Sequence, residues 1–180
     1  MSDSRRNFLL KSFSATSAAW IAANWPAQVA AAEKAQAMGN FTFFTREQAA
    51  DVDAIAAQIY PTTDTPGAKE AQVIYFIDLA LVTFAQDKQD IYTKGFAELA
   101  GHTGGKPFAS LPTDQQIQML TMIEKTPFFR TVRDHTIMGM FASPQHGGNF
   151  HKVGWQQIGF DDSLNFRTPF GAYDKAEGDW

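Results

Sequence analysis

The stretch AQVIYFIDLALVTFAQ, residues 71–86, constrains the fold more than any other part of this chain. It is apolar on nearly every side, so it has no face to offer water and must be enclosed by other elements. Its β-branched residues allow a strand, but an apolar run longer than about ten residues favours a helix. The rest of the chain must then supply a shell of amphipathic elements around one central helix. Asp78 sits inside the run, between Ile77 and Leu79. A carboxylate in such surroundings needs hydrogen-bond donors or a perturbed pKa. An acid/base role would call for a second catalytic group at a readable spacing, and the sequence offers none. Asp78 is therefore read as a structural acceptor for the N–H groups of a helix N-terminus or loop. The turn TPGAKEA, residues 65–71, is the candidate donor, with Pro66 and Gly67 shaping it.

The supply of shell residues is adequate. The chain has 180 residues, 44% of them hydrophobic and 19% charged, which fits one globular domain with additions. Cysteine is absent. Disulfides, thiolate metal sites, iron–sulfur clusters and covalently attached c-type haem are thereby excluded from this chain. A net charge of −4 without a basic cluster in the main body argues against nucleic-acid binding.

The first 32 residues read as an export signal. Arg5 and Arg6 are followed by Phe8 and Leu9, then by a diluted apolar run to Trp25, Pro26 and the small residues Ala30–Ala32. This is the pattern of a twin-arginine signal, cut near Ala32, with the periplasm as destination. That route carries folded proteins, usually because a cofactor must be acquired before export. Residues 33–40 read as a linker, and residues 41–180 as one helical domain.

Within that domain, Thr45 and Gln48 form a capping box ahead of a helix over residues 46–60, with Val52, Ile55, Ala56 and Ile59 on one face. Residues 88–101 predict a shorter helix with Ile91, Phe96 and Leu99 apolar and Gly101 as its C-cap. Thr113 and Gln116 repeat the capping pattern before the stripe Ile117, Leu120 and Ile123. A further helix begins near Phe128 and ends before Pro144. The fold class is all-α, a bundle of about five helices with a long, irregular, aromatic and glycine-rich C-terminal segment. That segment holds Phe150, Trp155, Ile158, Phe160, Phe166, Phe170, Tyr173 and Trp180. So many aromatics predict that it packs on its own bundle or on a partner.

No nucleotide fingerprint, phosphate loop, nucleophile elbow or zinc-protease helix motif is present. The histidines are His102, His135, His146 and His151. His146 and His151, with Asp161 or Asp162, form a candidate metal set. The intervening Gly147, Gly148 and Asn149 instead suit a backbone that needs positive φ, which favours a shaped loop. His135 reads as a packed or interfacial side chain.

Taken in order, several stretches resemble one family. They are Phe43-Phe44 before the first helix, Ile59-Tyr60-Pro61, Pro66-Gly67-Ala68, Phe76-Ile77-Asp78, Pro144 with Gly147-Gly148-Asn149, Gly154-Trp155, and Ile158-Gly159-Phe160. With the twin-arginine leader they are similar to the gluconate 2-dehydrogenase subunit 3 family, over about residues 41–160. Ser143 stands where members often have aspartate, and Asp161-Asp162-Ser163 where many have Pro-Gly-Ala.

The resemblance implies a non-catalytic small subunit of a periplasmic sugar or polyol dehydrogenase. The cofactor, FAD, would belong to a large partner subunit of the glucose-methanol-choline oxidoreductase type. That partner lacks a signal and leaves the cytoplasm on this chain's signal, through the twin-arginine translocase. In many such systems a c-type cytochrome subunit takes the electrons. Pro144, His146, Gly147, Gly148, Asn149, Gly154, Trp155 and Phe160 are then the expected docking residues, with Trp155 as anchor. Two alternatives stand beside this reading: an independent periplasmic metalloenzyme using His146 and His151, and a free-standing binding protein.

Overall fold

The computed structural model describes residues 40–162. The leader 1–32, linker residues 33–39 and the tail 163–180 lie outside the described residues. Within them the chain is all-α, as expected. Its helices are α1 (Arg46–Ile59), α2 (Val73–Val82), α3 (Gln89–Thr103), α4 (Thr113–Ile123), α5 (Pro127–Phe141) and the short α6 (Val153–Gln157). Four 3-10 turns punctuate them, two of which flank the Gly147–Asn149 segment. No described helix is long and apolar enough to cross a membrane.

The central helix is α2. Eight of its ten residues are buried, and it packs against α1 and α5. Asp78 is buried with them and accepts from the N–H groups of Thr42 (2.7 Å), Phe43 (2.9 Å) and Phe44 (3.0 Å). The structural reading of Asp78 is therefore the one realised. Its donors, however, lie in the bend ahead of α1 and not in the Pro66–Gly67 turn. Three converging donors replace much of the hydration that the carboxylate loses.

The Asp78 clasp delivers Phe44 to an aromatic cluster. Phe44 meets Tyr92 and Phe96 at 5.6 and 5.9 Å, and Phe128 meets Tyr92 edge-on at 5.7 Å. Gly95 lets α3 approach α5 so closely that a Cβ there would overlap the Phe128 ring. The Thr45–Gln48 capping box is present, with both reciprocal bonds.

Three expectations are corrected. Gly101 does not end α3; the helix runs on to Thr103, and Gly104, at φ 63°, is the left-handed cap. Thr113 is the first helical residue of α4, not its cap, since Pro112 occupies that place and makes no side-chain cap bond. Gln116 turns inward instead. It accepts from Gln58 at 2.8 Å and donates to the Leu111 and Phe108 carbonyls at 3.0 and 3.3 Å. The buried stripe of α4 is thus Gln116, Leu120 and Ile123, and Ile117 is 49% exposed.

His135 is buried, and its Nδ1 lies 3.0 Å from the Tyr92 hydroxyl, with the two rings stacked. Burial lowers its pKa; the neighbouring Asp134 and Asp87 oppose this, while Lys88 adds to it. A group whose folded pKa is depressed takes up its proton first in the unfolded chain, so stability falls as pH drops through about 6.5. His146 is shifted the same way, also by burial. The urea midpoint should be lower at pH 5.5 than at pH 7.5. His135→Gln should flatten that slope, and an unchanged slope in the variant would rule His135 out as a source.

Candidate docking surface

Motifs up to 97 residues apart in sequence meet at one end of the bundle. Tyr60, just past α1, donates its hydroxyl to Gln157 Oε1 at 2.8 Å. The Gln157 amide donates in turn to the Pro66 carbonyl at 2.7 Å. Ala68 N–H closes the Pro66–Gly67 turn onto the Tyr60 carbonyl at 2.9 Å. Glu70 holds the turn from the other side, accepting from Gly67 N–H and the Thr62 hydroxyl. These bonds hold the Glu70 carboxyl below its usual pKa, the Thr62 hydroxyl contributing most. Any Cβ at residue 67 would press on the backbone of Tyr60, Pro61 and Thr62, so the turn requires glycine.

The Gly147–Gly148–Asn149 segment faces inward. Gly147 has φ 94° and lies on the backbone of Tyr75 and Phe76. Gly148 abuts the Gly139 carbonyl, leaving no room for a Cβ. Asn149 is fully buried at φ 48°, donates to the Ala142 carbonyl at 3.0 Å, and accepts from Gly154 N–H at 2.8 Å. Gly154 rests on the Met140 carbonyl oxygen. The glycines let a loop lie flat on the ends of α2 and α5, and Asn149 satisfies a carbonyl left open where α5 stops. His151 and Lys152 are also left-handed, at φ 53° and 60°, a costly pose for side chains of their size.

Trp155 is half-buried. Its indole N–H donates to the Phe141 carbonyl at 2.7 Å, and its ring meets Phe160 edge-on at 4.8 Å. It is the pedestal on which Phe160 stands. Outward from this scaffold point Phe150, Ile158 and Phe160, which are 38%, 60% and 52% exposed. Sequence reasoning named Phe160 but not Ile158 as a surface residue. Their signal was the Ile-Gly-Phe triplet, in which Gly159 adopts φ 66° and turns the chain back over Trp155.

His146 is half-buried and sits in the 3-10 turn before Gly147, while His151 is exposed beyond Asn149. Among the described residues no group of three or more His, Asp or Glu side chains is placed to hold a metal ion. The geometry of this end is that of a rigid platform with an apolar outer rim.

No curated protein and no solved structure gives a match to this chain. A family model does: it begins at the first residue of α1, ends at the last described residue, and so takes in every motif that converges on this platform. The model is that of gluconate 2-dehydrogenase subunit 3, matched over residues 46–162, and the chain belongs to that family.

Proposed function

We propose that this chain is a non-catalytic small subunit that binds, stabilises and exports a periplasmic FAD-dependent dehydrogenase of the glucose-methanol-choline type. FAD and the sugar or polyol chemistry belong to the large subunit. The family name supports a place in a multi-subunit dehydrogenase. The observation that carries the docking role is the rim on residues 150–160. Three large apolar side chains project there from a segment whose Gly147, Gly148, Asn149 and Gly154 are engaged with its own helices. Exposed large apolar side chains on a well-anchored base are what an interface uses. Arg5 and Arg6 supply the reason for a folded-protein route: the passenger's flavin must be in place first.

Co-expression with a candidate flavoprotein of the glucose-methanol-choline type tests both halves of the reading. Replacing Arg5 and Arg6 by lysine should leave the flavoprotein in the cytoplasm, bound to this chain and active. Replacing Ile158 and Phe160 by aspartate should weaken capture about 30-fold, the effect of losing about 2 kcal/mol at a hot spot. Both side chains are more than half exposed, so the fold should persist, as circular dichroism can verify. Periplasmic dehydrogenase activity that survives deletion of this chain would remove the proposal.

A further inference from the structure

A second apolar feature lies away from the 150–160 rim. A cleft of about 590 Å³ runs between the end of α1, α4 and α5, lined by Ile59, Pro61, Ile117, Leu120, Phe129 and Arg133. Ile117 is half exposed on its floor. The cleft continues as a stripe along α5, because Arg133, Ile137 and Phe141 recur at intervals of four and so share a face. Ile137 is 46% exposed. The stripe ends where Phe141 meets Tyr60, and Tyr60 is the residue that Gln157 binds. The described chain finishes five residues after Gln157, at Asp162, which Lys152 holds at 2.7 Å.

We propose that the cleft and its stripe are covered by the chain's own C-terminal segment, residues 163–180. Three observations select this occupant over a second copy or another protein. The first is position: the described residues end at Asp162, two residues after Phe160, whose ring packs on the Trp155 that the Phe141 carbonyl holds at the end of the stripe. The second is reach. From Phe141 back to Phe129 along α5 is about 18 Å, whereas 18 extended residues span up to about 60 Å. The third is composition. Leu164, Phe166, Phe170 and Tyr173 give the segment apolar groups along the length that would meet the stripe, with Arg167 and Asp174 between and beyond them. Glu124 and Arg133 stand at the cleft with complementary charges. The cover would act as a strap that fastens α4 to the rest of the bundle. The inference does not depend on the docking reading above, because it concerns the chain by itself.

The absence of cysteine makes the test direct. Thr121 lines the cleft and is exposed, and its neighbour Met122 is exposed but lies outside the lining. Thr121→Cys and Met122→Cys each place a single thiol on the full chain, to be labelled with a maleimide in the absence of any partner. Thr121→Cys should react about tenfold more slowly than Met122→Cys, the factor for a cleft covered some 90% of the time. Adding Phe166→Asp and Phe170→Asp to the full chain should restore the fast rate at Thr121→Cys and leave Met122→Cys unchanged. Equal rates at the two thiols overturn the proposal. So does protection that survives the two aspartates, or protection that scales with chain concentration, which would mark a second copy as the occupant.

Discussion

Asp78→Ala should cost the domain about 4 kcal/mol, a large part of the 5–15 kcal/mol that holds a typical domain together. The argument runs from the donors rather than from the carboxylate. Thr42, Phe43 and Phe44 direct three N–H groups at Asp78, and the Phe44 bond is fully buried. Removing the acceptor strands them, at about 1–3 kcal/mol for each that water does not reach. The loss also frees Phe44 from Tyr92 and Phe96, the aromatic wall that joins α3 to α5. Asp78→Asn keeps the size but only one accepting oxygen, and should cost about half as much. Urea denaturation of the two variants checks the ordering. A cost under about 1 kcal/mol for Asp78→Ala would mean that water replaces the carboxylate and that the clasp is incidental.

Gly154→Ala is expected to be the second most damaging change, through space alone. Gly154 is helical and needs no special φ, but a Cβ there would overlap the Met140 carbonyl oxygen. That oxygen is backbone at the end of α5, so α6 must move away instead. The shift breaks the Gly154–Asn149 and Trp155–Phe141 bonds together. A loss of about 3 kcal/mol is expected, the upper end for overpacking. The same substitution at Gly101 is the control. Gly101 lies within α3 with open space around it, so alanine there should stabilise by about 0.5–1 kcal/mol. If both variants behaved alike, the tight seat of α6 would be disproved. If the platform also carries the partner, Gly154→Ala should weaken capture of the large subunit with Ile158 and Phe160 still in place.

How far these features were legible depended on the range of the interaction. The Thr45–Gln48 box and the enclosure of α2 could be read directly, because a cap is local and an all-round apolar helix has one solution. The need of Asp78 for donors followed from its neighbours, but the donors stand 34–36 residues away and no pattern marks them. The repeat of the capping signature at Thr113 misled because Pro112 and a buried demand at the Leu111 and Phe108 carbonyls drew Gln116 inward. In the platform, the glycine requirement at 147 and 148 was readable as shape. The direction in which that shape faces was not, since it depends on the contact with Tyr75, Phe76 and Gly139. Trp155 is the expected anchor by residue type, and its added part as support for Phe160 could not be read, since it depends on the Phe141 carbonyl.

The seat of Trp155 has a practical consequence. It is the one tryptophan among the described residues, and its indole is tied to α5 on one side and to the Phe160 ring on the other. With Trp20, Trp25 and Trp180 replaced by phenylalanine, its fluorescence becomes an optical gauge of the apolar rim. A shift in emission wavelength should register departure of Phe160 or arrival of a companion subunit, with no label attached.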